Sequence, residues 1–198
     1  MQSSRKISAQ TLTLSAILTA MVVVLQLLGA VIRFGPFSIS LVLVPIVLGA
    51  ALCGPAVGAW LGLVFGFVVL ISGDAAPFFA VSVPGTVITV LCKGVACGWC
   101  AGLTYRALME RNRTLAVAAA ALVCPVVNTG LFLVGCRVFF YSVILTWAGE
   151  SGESVIRYVF VGLAGVNFLV EAAVNMVLSP VIVRLLNISK TIRGLNVK

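Results

Sequence analysis

Three ionisable side chains, Lys93, Arg137 and Glu171, interrupt stretches that are otherwise almost wholly apolar, and three amides, Asn128, Asn167 and Asn175, accompany them. A charge placed in hydrocarbon costs ~2.5–3.5 kcal/mol on insertion scales, so each such residue is a functional candidate that needs a partner. Asn167, Glu171 and Asn175 recur at every fourth position and therefore share one helix face. That face must look into a bundle, because lipid cannot satisfy it. At a rise of ~1.5 Å per residue from the outer span ends, Arg137 and Lys93 sit ~10 and ~12 Å deep, Asn167 ~18 Å, and Asn128 and Glu171 ~24 Å. Two cations thus share a level above one carboxylate, which cannot neutralise both. The surplus positive charge suits an anionic ligand, a carboxylate above all, in a pocket open to the outside and closed below. The alternative is an internal ion pair of Glu171 with Lys93 or Arg137 that only holds spans 4, 5 and 6 together.

Other chemistry is scarce. The chain contains no histidine, which removes Ser-His and Cys-His nucleophiles, most zinc sites and haem ligation. Its five acidic residues include no two close enough within a span for a two-metal site. Cys97-Gly98-Trp99-Cys100 has a redox or metal spacing but lies in an apolar helix without a second pair, so it reads as small-residue packing. No catalytic residue, no metal site and no cofactor are expected, and the chain reads as a non-enzyme.

The elements that position these groups follow from composition. At 198 residues the chain is 62% hydrophobic and 9% charged, with mean hydropathy +1.22, more apolar surface than a soluble core of this size could hide. Runs of ~20 apolar residues read as membrane-spanning helices. Six are expected, roughly 8–32, 39–53, 57–72, 85–108, 115–144 and 155–186, forming one all-α transmembrane domain over 1–198. The first reads as a span and not as a cleaved signal peptide. The segment 73–84 is an apolar loop broken by Pro77 and Pro84, 109–113 is a polar loop, and 147–153 is a further loop. Gly58, Gly62 and Gly66 on span 3, and Gly94, Gly98 and Gly102 on span 4, form rows in which a neighbouring backbone can approach closely.

Nine of the thirteen basic residues cluster at three places: Arg5 and Lys6; Arg106, Arg111 and Arg113; and Arg184, Lys190, Arg193 and Lys198. Basic flanks resist translocation, so these places face the cytoplasm and both termini lie inside. Loops 1, 3 and 5 then face outward with Arg33, Asp74, Glu150 and Glu153. The net charge of +8 lies beside the spans and not on one soluble face, which argues against nucleic acid.

With its length, short loops and inward termini, this pattern resembles the substrate-binding S components of energy-coupling factor (ECF) vitamin transporters. Ala16-Ile17-Leu18-Thr19-Ala20 is similar to the family's Ala-x-x-x-Ala surface, and Gly54-Pro55-Ala56-Val57-Gly58 to its Gly-Pro-x-x-Gly after a short second helix. The resemblance spans nearly the whole chain. It implies a multi-pass plasma-membrane protein that binds a vitamin tightly beneath loops 1, 3 and 5. It also implies a transmembrane scaffold subunit and two cytosolic ATPases as partners, with Ala16 and Ala20 at the scaffold interface and toppling within the membrane during transport. ATP hydrolysis falls to the partners, because the chain has no Walker A sequence. Lys93 and Arg137 would suit pantothenate first and folate second. Asn128, Asn167, Glu171 and Asn175 complete the expected substrate site, and Arg33, Phe34, Asp74, Phe78, Phe79 and Trp147 its loops and lid. Two rivals stay open. One is a stand-alone proton-coupled secondary transporter using Glu171 or Asp74, although repeated halves are not apparent. The other is a structural membrane subunit without a ligand, whose charges are internal glue.

Overall fold

The computed structural model describes residues 9–31, 33–34, 37–38 and 41–195, and the side chains of these except 31–38, 166 and 189–195. Arg5, Lys6 and Lys198, and the side chains of Arg33, Phe34, Lys190 and Arg193, therefore lie outside the described residues.

Helices dominate. α1 (Ala9–Val31) leads into two short paired segments, β1 (Arg33–Phe34) and β2 (Phe37–Ser38), antiparallel with Phe34 opposite Phe37. α2 (Leu43–Cys53) and α3 (Pro55–Ile71) meet at Gly54, whose φ of +99° lets the chain reverse where a side chain would be strained. α4 (Ala76–Phe79) precedes α5 (Val83–Leu108), which starts at a Ser82 cap: the Ser82 hydroxyl oxygen accepts from the Gly85 N–H at 3.2 Å. α6 (Arg113–Phe139) starts similarly, with Asn112 Oδ1 accepting from the N–H groups of Thr114 and Leu115. α7 (Tyr141–Glu150), α8 (Val155–Arg157), a wide π turn over Tyr158–Leu163 and α9 (Gly165–Leu195) complete the chain.

Among the described residues, four segments are long and apolar enough to cross a membrane: Ala9–Ala30, Val83–Leu108, Arg113–Phe139 and Val155–Ile188. The second and third expected spans appear as α2 and α3, of 11 and 17 residues. At ~1.5 Å per residue these reach ~16 and ~25 Å, short of ~30 Å of hydrocarbon.

One expected boundary needs correction. The span predicted over 115–144 ends at Phe139, and the chain restarts as α7, which carries helix to Glu150 into the segment expected as loop. The segment around the break, Val138-Phe139-Phe140-Tyr141, is apolar and aromatic, so hydropathy gives no break signal there. The break instead coincides with burial of Phe140 against Phe78, centroids 5.0 Å apart. The span predicted over 155–186 corresponds to the apolar segment Val155–Ile188, within which the π turn and Ala164 precede α9.

Packing centres on α3 against α5. Their glycine rows oppose each other in reverse order, Gly58 with Gly98 and Gly62 with Gly94, as antiparallel helices require. A Cβ on Gly62 would fall on the Gly94 carbonyl, so the backbones touch only because both side chains are absent. Leu43, Ile46, Leu61, Phe65, Ile182 and Leu186 fill the main core around this pair. A second cluster of Phe78, Cys136, Phe140, Ile144 and Leu163 closes the end of the bundle near α4. Between the two clusters the apolar packing gives way to polar groups.

Candidate functional site

Residues from α1, α3, α4, α5, α6, the π turn and α9 converge on a cavity of about 100 Å³. Its polar lining is Gln26, Asp74, Lys93, Asn128, Thr129, Asn167 and Glu171, and its apolar walls include Phe65, Phe78 and Phe132. Helical periodicity brings Asn167 and Glu171 to one face of α9, and Asn128 meets them from α6.

Glu171 is the anchor of the polar group and is only 1% exposed. Its Oε1 accepts from Asn167 Nδ2 at 3.0 Å and its Oε2 from Asn128 Nδ2 at 3.4 Å. The carboxylate thus spends both oxygens on amides, and neither oxygen pairs with Lys93. Turning their donors to Glu171 leaves the Asn128 and Asn167 Oδ1 atoms buried with no donor. Such atoms cost ~1–3 kcal/mol unless something hydrogen-bonds to them. Asn175 shares the inward face, but its Nδ2 donates back to the Glu171 carbonyl at 2.9 Å and it does not line the cavity.

Lys93 enters from α5. Its ammonium lies 5.3 Å from the Phe132 ring centroid and 5.7 Å from that of Phe65. Among the described residues no carboxylate lies within ion-pairing distance of it. Ring faces attract a cation by ~0.5–2 kcal/mol, but they do not neutralise it. At the other side of the cavity Asp74 accepts from Gln26 Nε2 at 2.7 Å and from Ser72 Oγ at 3.2 Å. Phe78 lines the cavity from α4, edge-on to Phe132 at 5.5 Å and to Trp147 at 5.9 Å.

Arg137 departs from the expected arrangement. It is exposed and stacks on Tyr141, its guanidinium 4.3 Å from the ring centroid, in a separate crevice beside Ile144 and Val155. Nine residues separate Asn128 from Arg137, two and a half turns at ~3.6 residues per turn, so the two leave α6 on opposite faces. The expected level of two cations is therefore not built, and Lys93 stands alone. Phe79 also turns away, packing against the main core. Gln26, Thr129, Phe65 and Phe132 are lining residues that sequence reasoning missed. Gln26 carried a usable signal, since an amide in the middle of an apolar helix needs a buried partner and this one is 1% exposed.

Ala16 and Ala20 lie on the exposed side of α1, away from the cavity. Among the described residues no three His, Cys, Asp or Glu side chains are disposed to hold a metal ion. The arrangement offers one unneutralised ammonium, two amide oxygens short of a donor, and an aromatic cover. This is equipment for holding a small polar molecule by complementary hydrogen bonds and charge.

The sequence model of the family described as ECF transporter, substrate-specific component matches residues 10–183. Neither the curated proteins nor the solved structures contain a match to the chain.

Proposed function

The chain belongs to the ECF transporter substrate-specific components, and from that premise we propose that its cavity binds a small carboxylate nutrient, pantothenate ahead of folate. The observation that carries this reading is Lys93, a cation lining a cavity whose buried carboxylate, Glu171, is already held by two amides. A ligand carboxylate would supply the missing charge. Hydroxyl or amide donors on the same ligand would satisfy Asn128 and Asn167 Oδ1. The edge-on meeting of Phe78 with Phe132 favours pantothenate, because a flat pteridine needs a slot between parallel faces.

In this reading the chain crosses the plasma membrane six times, α2 and α3 included, with both termini in the cytoplasm. The basic clusters at 106–113 and near the carboxyl end support that orientation. Phe78 and Trp147 act as the lid beneath the outer loops. A transmembrane scaffold docks on the Ala16 and Ala20 face, two cytosolic ATPases supply the energy, and this chain performs no catalysis of its own.

Mass spectrometry of small molecules released from protein purified out of cells grown in rich medium tests the assignment. A stoichiometric carboxylate nutrient is expected. A folded protein that carries none, and that is not stabilised by a panel of vitamins including pantothenate and folate, would overturn it.

A further inference from the structure

A second polar cavity, of about 240 Å³, lies at the opposite end of the bundle. Thirteen residues of α5 separate Arg106 on its wall from Lys93, or ~20 Å along the helix. It is distinct from the substrate cavity, and nothing in the proposed transport reading uses it.

Two arginines face it. Arg106, in the last turn of α5, lays its guanidinium across Gly54: a methyl group on that residue would stand 3.3 Å from Nη2. Arg113, at the start of α6, donates from Nη1 to Asn187 Oδ1 at 2.7 Å and from Nη2 to the Leu186 carbonyl at 3.2 Å. Its Nε is buried without an acceptor. Among the described residues neither guanidinium has an ion-pair partner, and Arg106 has no hydrogen-bond partner. Glu110, in the same loop, is exposed and pairs with neither. Tyr105 and the apolar side chains of Ala50, Leu52, Met109 and Leu186 complete the wall.

We propose that this cavity binds a phosphate group between Arg106 and Arg113, that of an anionic phospholipid in the adjacent leaflet. Guanidinium groups match phosphate oxygens in a two-pronged geometry, and two of them converge here without a carboxylate to compete. The position fits a headgroup, at the ends of four apolar helices and beside the polar loop 109–113. The apolar wall fits the glycerol and upper acyl chain. Basic pockets between membrane helices are suited to anionic headgroups for these reasons. The same chemistry would accept a water-soluble phosphate ester, so the test separates the two sources.

The experiment is native mass spectrometry of the purified full chain, titrated with phosphatidylglycerol or with phosphatidylcholine of the same acyl chains. Wild type should retain the first phosphatidylglycerol at least tenfold better than phosphatidylcholine. Arg106→Gln and Arg113→Gln should reduce that preference to about twofold or less, and Arg111→Gln, in the same loop, should keep it. Arg113→Gln also removes two hydrogen bonds to α9, so Arg106→Gln, which removes none, is the deciding variant. Millimolar glycerol 3-phosphate that leaves the lipid bound supports a lipid ligand, whereas full displacement supports a soluble phosphate ester in the same site. Equal retention of the two lipids by wild type, or an undiminished preference in Arg106→Gln, would overturn the proposal. If Arg106→Gln instead lost only the capture of a scaffold subunit, the arginines would belong to a protein interface.

Discussion

Lys93 and Arg137 look alike in the sequence, single cations in apolar helices, yet they occupy different environments. Lys93 is held between two ring faces inside the cavity, while Arg137 stacks on Tyr141 at the outer surface. A hydrogen bond to a charged group contributes ~1.5–3 kcal/mol, equivalent to roughly 10–100-fold in affinity. Lys93→Ala should therefore weaken substrate binding at least tenfold in isothermal titration, with Arg137→Ala staying within twofold of wild type. Unchanged affinity in both variants would remove the anion-site argument. Glu171 makes a different prediction. Glu171→Ala strands the Nδ2 donors of Asn128 and Asn167, so thermal unfolding in detergent should report a loss of ~1–3 kcal/mol. Glu171→Gln should restore most of it, because a carboxamide can still accept from one amide and, facing the other's Oδ1, donate to it. The inward face of Asn167, Glu171 and Asn175 was legible from spacing alone. The outward turn of Arg137 was legible too, but only by comparing its phase with Asn128, which depth counting along the helix ignores.

At the scale of elements, the interface of α3 and α5 fixes where Lys93 enters the cavity, because both helices are held at backbone contact by their glycine rows. Gly62→Leu or Gly94→Leu should drive them apart and destabilise the fold by ~1–3 kcal/mol or more, the range for overpacking a filled interior. Gly130→Ala is the internal comparison, since a methyl group there meets nothing within 4 Å. It should be neutral or stabilising by up to ~1 kcal/mol, the helix-propensity difference. Thermal melts of the three variants in one detergent decide the matter, and equal effects at all three positions would contradict it. The glycine rows announced close helix contact in the sequence, but not which helix meets which. The break of the fifth predicted span at Phe140 was hidden for another reason. No glycine or proline marks it, and it falls at a buried aromatic ring that packs on Phe78, 62 residues away in the chain.

For the whole molecule, the cavity and the Ala16–Ala20 surface lie on separate parts of the structure, so binding and docking should be separable. Ala16→Trp with Ala20→Trp should abolish co-purification with the transmembrane scaffold while leaving substrate affinity within twofold. Intact scaffold capture would return the two alanines to an ordinary lipid-facing surface. What the sequence by itself determined was the membrane class, the family resemblance and the inward polar face of Asn167, Glu171 and Asn175. Those depend on composition, four-residue spacing and the cost of placing charge in hydrocarbon, all of which are local or additive along the chain. Tertiary structure alone decided that Lys93 lies between the Phe65 and Phe132 rings, that Gln26 reaches Asp74, and that Glu171 gives its oxygens to Asn128 and Asn167. Each of these depends on the rotation of one helix against another. Rotation is set by the summed packing of many side chains distant in sequence, and no single segment encodes it.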